Sequence, residues 1–179
     1  MQLRERPDEH LNRAVDALRR IIQALRLSSS VVHGRVGITG AQLFVLQQLA
    51  EYPGASLREL AGRTLTDQSS VSVVVSRLVE SGHVARRTAA ADARRTELSL
   101  TDKGRALLRR APQPAQVRLV AALRGVPPAQ LGVTSSVLDR VASALYPTSQ
   151  SPPMFFEPPP ARRRGGSKPR PKSGRGQTK

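Results

Sequence analysis

The chain has neither cysteine nor tryptophan among its 179 residues. Without thiols, disulfides, thiolate metal sites and thiol redox switches are excluded by inventory. Aromatic residues make up 3% of the chain, and two of the three phenylalanines, Phe155 and Phe156, lie near its end. The stacking platforms by which single-strand and RNA readers hold unpaired bases are therefore missing. No apolar run approaches the roughly 18 to 20 residues of a membrane span, and the opening MQLRERPDEHLNR is charged where a signal peptide has its apolar core. The expectation is a soluble protein of the cytoplasm with no membrane partner. Signatures of catalysis are lacking as well: there is no G-x-S-x-G and no glycine-rich phosphate loop. His10, His33 and His83 lack a second histidine or a carboxylate at metal-ligand spacing, though Asp8 and Glu9 stand beside His10. No enzyme, cofactor or metal is expected, and His83 reads as a residue at a helix end.

Acids are the remaining shortage. Thirteen Asp and Glu face 29 Lys and Arg, a net charge of +16, the balance of a protein that meets a polyanion. Residues 151–179, SPPMFFEPPPARRRGGSKPRPKSGRGQTK, hold eight of the basic residues and one acid, which leaves +9 on residues 1–150. This Pro/Gly-rich tail has too few aliphatic residues to offset chain entropy and is expected to be disordered. It is either a solvated appendage or a basic arm that adds nonspecific DNA affinity, and only MFF at 154–156 gives a reason for docking on the body. Residues 1–150 are enough for one domain with its own core.

Along that domain, Leu11, Val15, Leu18, Ile21, Ile22 and Leu25 recur at helical spacing, which predicts an amphipathic helix from Pro7 to Ser30. In ITGAQLFVLQQLAEYPG, Thr39 with Gln42 forms a capping box before Leu43, Leu46 and Leu49, and Pro53-Gly54 stops the helix. Ser56 with Glu59 repeats the device, and Leu57, Leu60 and Ala61 give one apolar face. Only Arg63 to Thr66 then separates this short helix from DQSSVSVVVSRLVESGHV. On a strand, the face of Val71, Val73, Val75 and Val79 is interrupted by Arg77; on a helix, Val71, Val74, Val75, Leu78 and Val79 share one side and Val73 is the single misfit. Asp67 and Thr66 suit the start and Gly82 the stop. The outline is helix-turn-helix. The second helix's other side carries Gln68, Ser69, Ser70, Ser72, Val73, Ser76 and Arg77, short and poor in acid, as a helix entering a DNA major groove must be.

Beyond Gly82, residues 83–88 and 96–100 have β character and are joined by a small polar loop, a hairpin that gathers Arg86, Arg87, Arg94 and Arg95. Arginine at such a projection can enter the electronegative minor groove. From LTDQSSVSVVVSRLVESGHVARR through Asp92-Ala93-Arg94 to LSLTDKG the chain resembles the MarR (multiple antibiotic resistance regulator) family of winged helix-turn-helix transcription factors, and ITGAQLFVLQQLAEYPGASLRELAGRT extends the likeness upstream. The resemblance implies a mainly α fold with a small β-hairpin wing. A DNA-binding lobe at about residues 36–102 would be flanked by N- and C-terminal dimerisation helices at about 8–30 and 103–146, followed by the 151–179 tail. It also implies that Gln68, Ser69, Ser70, Ser72 and Ser76 face the groove or its phosphates and that Arg77 meets the backbone; Val73 departs from the polar residue the family often has there, and its methyls either meet a thymine methyl or mark weaker direct readout. Arg94 would be the wing-tip arginine held by Asp92, with Arg86, Arg87 and Arg95 on the backbone.

Pro112 and Pro114 interrupt the C-terminal helical stretch, and Leu131, Val137, Leu138, Val141 and Leu145 supply the last apolar stripe. The expected function is a homodimeric, nucleoid-associated regulator that reads a pseudo-palindromic duplex operator. It would act as a repressor released by a small molecule bound between the dimerisation helices and the lobe, where the family often takes aromatic acids. The alternative is a nonspecific architectural duplex-DNA binder.

Overall fold

A computed structural model of the chain describes residues 7–88, 96–146, 153–155 and 157. The order is α1 (Pro7–Val36), α2 (Gly40–Glu51), α3 (Leu57–Thr64), α4 (Gln68–Glu80), β1 (Val84–Thr88), β2 (Thr96–Leu100), α5 (Asp102–Leu108), α6 (Ala115–Arg124) and α7 (Pro128–Leu145). The fold is mainly α with a two-stranded hairpin, a winged helix-turn-helix, as expected. Among the described residues no helix is long and apolar enough to cross a membrane.

Helix starts follow the local chemistry. The Thr39 hydroxyl accepts the Gln42 N–H at 3.1 Å while the Gln42 side chain takes the Thr39 N–H at 3.0 Å. Ser56 and Glu59 make the same reciprocal pair at 3.3 and 2.7 Å. Each box satisfies two N–H groups that a helix end would otherwise leave bare. α3 stops because Leu65 adopts a left-handed conformation with φ 53°, sending the chain into α4. Leucine pays a steric cost there, and the Thr66 N–H bond to the Ala61 carbonyl, 3.0 Å, helps to hold the turn.

α2, α3 and α4 meet around Leu43, Leu46, Leu49, Leu60, Val71, Val74, Val75 and Leu78, each no more than 1% exposed. β1 and β2 pair antiparallel with Val84 opposite Leu100 and Thr88 opposite Thr96. Leu98 also exchanges backbone bonds with the linker between α2 and α3, Gly54 N–H to its carbonyl and its N–H to Ala55, both 3.0 Å. This third rung pins the hairpin to the core.

One helix boundary differs from the sequence reading. α1 continues past Ser30 to Val36, because Val32 is fully buried in the lobe core and the break comes only at Gly37, φ 72°. The triple serine read as an end is interior, and Ser28 Oγ accepts the Ala115 N–H at 2.9 Å, tying α6 to α1. Of residues 151–179, Met154 of the MFF cluster is 7% exposed within the core cluster and Glu157 is 5% exposed. Residues 158–179 lie outside the described set. The proline interruption is where it was expected, α5 ending at Leu108 and α6 restarting at Ala115.

Gly104, in α5, sits against the chain reversal at His83. A Cβ there would come within 2.3 Å of the His83 carbonyl oxygen, whose own partner is the Thr101 N–H at 3.1 Å. Neither backbone can yield cheaply. Gly104→Ala is expected to destabilise the fold by about 1–3 kcal/mol, measured as a lowered denaturation midpoint with an unchanged slope; unaltered stability would mean the helix can ride outward freely.

Candidate nucleic-acid interface

α4 presents its polar side away from the core. Gln68 and Ser69 are exposed, whereas Ser70, Ser72, Val73, Ser76 and Arg77 are half-buried along its length. Val73, the misfit in the helical pattern, thus lies among the serines on the outward side rather than with the buried valines. Between Gln68 and Arg77 there is no carboxylate. A phosphate or base edge approaching this face meets hydroxyls, one amide and a cation.

The hydroxyls are not equivalent. Asp67 caps the helix, its Oδ1 taking the Ser70 N–H at 2.9 Å and the Ser69 hydroxyl at short range. Because the Ser69 proton is committed to Asp67, that oxygen can offer lone pairs outward but not its proton, which suits a base N–H rather than a phosphate. Ser76 is the opposite case. Its oxygen accepts from Arg86 Nη2 at 3.1 Å, which leaves its own proton to donate outward. The same bond ties β1 of the hairpin to α4, so Arg86 and α4 form one surface.

Arg86 and Arg87 are both exposed on β1, opposite Leu98 and Glu97 of β2. Asp92, Arg94 and Arg95, assigned to the wing tip by the resemblance, lie outside the described residues. His83 is buried at the base of the wing, its Nδ1 2.8 Å from Ser81 Oγ. Burial, helped by the nearby Lys103 charge, holds its pKa below the usual histidine value and keeps the ring neutral.

Sequence reasoning missed how Arg77 is held. Its guanidinium pairs with Glu157 Oε1, which the Gln42 amide also approaches at 3.5 Å, while Oε2 accepts the Thr39 hydroxyl at 2.5 Å. The one signal was Glu157 itself, the only acid in residues 151–179 and the next residue after MFF.

Asp67 gives a pH prediction. Hydrogen bonds from Ser69 and Ser70 lower its pKa from 3.8 to about 2. A carboxyl whose folded value is depressed adds stability that is complete above its unfolded pKa and lost as pH falls through the folded one. The Asp67 contribution should therefore be whole above about pH 4 and vanish towards pH 2. Asp67→Ala should cost about 1 kcal/mol at pH 7, the usual worth of an N-cap. Asp67→Asn should retain most of the cap yet flatten this acid limb in urea unfolding followed against pH; an unchanged limb would assign it to other carboxylates.

With the geometry in place, comparison with known proteins identifies the chain. A family model described as the MarR family matches residues 36–95. The HTH-type transcriptional repressor Mb2911 of Mycobacterium bovis is 32% identical over 94 residues, 52% of this chain and 68% of that protein. The HTH-type transcriptional regulator TtmR of Methylorubrum extorquens is 39% identical over 70 residues, 39% of this chain but 36% of TtmR, so this chain matches only about a third of that relative's length. Among solved structures, the PcaV transcriptional regulator from Streptomyces coelicolor superposes with a TM-score of 0.50 at 28% identity, over 75% of this chain and 98% of PcaV. The chain belongs to the MarR family, a family of DNA-binding transcriptional regulators rather than enzymes.

Proposed function

We propose that this protein is a homodimeric, sequence-specific regulator of transcription that places α4 of each subunit in the major groove of a pseudo-palindromic operator. The observation that carries the reading is the outward side of α4, acid-free and short, joined to the wing through Ser76 and Arg86. In this reading Gln68, Ser69, Ser70, Ser72, Val73 and Ser76 meet the groove and Arg77, Arg86 and Arg87 the backbone. Asp92, Arg94 and Arg95 are assigned to the wing tip by family resemblance. Residues 36–102 act as the DNA-binding lobe, and α1 with the helices after β2 as the dimerisation part.

Support for the dimer comes from what a single chain leaves open. α7 buries none of its residues, and Val133, Val137, Leu138, Val141 and Leu145 stand 43–80% exposed. Leu11, Leu18, Ile21 and Ile22 of α1 are also exposed. Two apolar helix faces without partners are costly in water and are satisfied by a second copy.

Support for a small-molecule effector comes from a cavity of about 660 Å³ between α2, the α3–α4 turn, α6 and the first tail residues. It is lined by Phe44, Leu65, Leu119, Leu123 and Met154 among others, and it receives two buried polar atoms without partners, Asp67 Oδ2 and Gln116 Nε2. Among the described residues, its charged lining residues, Asp67 and Glu157, are both acids. A ligand here carries an apolar body, an acceptor for Gln116 and a donor or cation for Asp67. The aromatic acids expected from the resemblance meet repulsion instead. Because Asp67 caps α4, a ligand that draws on it acts on the recognition helix directly.

Ser76→Glu should weaken operator binding about tenfold or more, a base contact being worth ~1–3 kcal/mol, while the protein remains dimeric in sedimentation; retained affinity would turn α4 away from the groove. Val137→Asp with Val141→Asp should yield monomers with greatly reduced affinity. Of two ligands matched in shape, 2-naphthamidine should release DNA and 2-naphthoate should not, and Asp67→Asn should erase the difference. Release by the naphthoate would overturn the ligand class.

A further inference from the structure

The first tail residues place a carboxylate where a nucleic-acid phosphate would be held. Glu157, its side chain 2% exposed, is received by the Arg77 guanidinium, by the Thr39 hydroxyl at 2.5 Å and, at 3.5 Å, by the Gln42 amide. Thr39 and Gln42 are the capping pair at the start of the twelve-residue α2, so the anion also lies at the positive end of a helix dipole. A guanidinium, a hydroxyl and a helix N-terminus around one oxyanion form the donor set that proteins use for phosphate. Met154, three residues earlier, is seated in the core cluster and anchors the segment.

The charge pattern makes this arrangement more than a structural ion pair. Glu157 is the only acid among residues 151–179, and the eight Lys and Arg of that stretch all follow it. A basic arm drawn to DNA does not need a carboxylate at its root, and a carboxylate on Arg77 neutralises a cation of the proposed DNA surface. We infer that Thr39, Gln42 and Arg77 form a binding site for a phosphate of the DNA backbone, and that Glu157 occupies it in the free protein as a phosphate mimic. Tail docking and this backbone contact then exclude one another. The inference rests on the proposed role of Arg77 at the backbone.

The test measures affinity for a fluorescein-labelled duplex of arbitrary sequence against salt, using the full chain. Glu157→Gln removes the competing charge, and Met154→Ser removes the anchor without touching the site. Each should tighten binding about fivefold per subunit at 0.15 M salt and steepen the salt slope by about 0.9 per subunit, the signature of one more phosphate neutralised. Arg77→Ala added to either variant should cancel the gain. A purely structural role for Glu157 predicts the reverse, equal or weaker binding with a lower melting temperature, and that result would overturn the inference. The two levels fail differently. If Arg77→Ala weakens the parent protein while Glu157→Gln gains nothing, the backbone role stands and the mimicry falls; if all the variants bind alike, Arg77 is not at the backbone and both fall.

Discussion

Burial of one valine-rich face holds α4 together, and the proposed DNA surface depends on it. Its thirteen residues include five valines and four serines, each a few tenths of a kcal/mol less favourable in a helix than alanine. Such a segment is a poor helix alone. Val71, Val74, Val75 and Leu78 are at or near zero exposure against α2 and α3, and each fully buried side chain of this kind returns roughly 1.5–3 kcal/mol. Packing therefore wins over propensity, and the polar side is free to be chosen for approach to DNA. The serines weaken the helix and are tolerated because the valines behind them are buried.

This dependence explains the placement of the few acids. A strongly basic chain binds any duplex by releasing counterions, so its negative groups matter where they sit at the interface. Asp67 is turned inward, with Oδ1 committed to Ser69 and Ser70 and Oδ2 buried. It stabilises the start of α4 without presenting charge to the groove. Glu157 takes the one cation at the other end of the same helix. The carboxylate that caps α4 and the one that pairs with its arginine also line one cavity.

Features set by neighbouring residues were legible in the sequence. Both capping boxes, the Asp67 cap and the valine stripe need at most nine residues of context, and all stand in the structure as read. What was illegible is long-range. The end of α1 was misplaced because Ser28 to Ser30 look like a break, while the reason to continue, Val32 in the lobe core, depends on helices that follow it. The Ala55–Leu98 rung and the Arg77–Glu157 pair join residues 43 and 80 positions apart, and no local pattern announces either. Of the interface residues, those of α4 could be placed by periodicity; Ser69 and Ser76 could not be told apart as acceptor and donor until Asp67 and Arg86 were seen beside them.

The continuity of α1 has a mechanical consequence. Thirty residues of uninterrupted helix span about 45 Å at ~1.5 Å per residue. The first part carries the unpartnered Leu11, Leu18, Ile21 and Ile22, and the last part enters the lobe core through Val32. Had the helix ended at Ser30, a flexible joint would separate the proposed dimerisation part from the lobe. Instead one rigid element belongs to both. α6 rests on it through Ser28, and Gln116 of α6 packs against Gly40, where an added Cβ would stand 3.0 Å from the amide nitrogen. The same Gln116 faces the cavity that holds the Asp67 carboxylate. A ligand seated there would touch the lever from α6 and the proposed recognition helix from its cap. In the proposed dimer the separation of the two α4 helices is set by the angle at which the α1 levers meet. A shift of a few degrees at α6 moves each lobe by several ångströms at the end of a ~45 Å arm. A pseudo-palindromic operator of the proposed kind, with half-sites one helical turn apart, would be poorly matched by such a change in spacing.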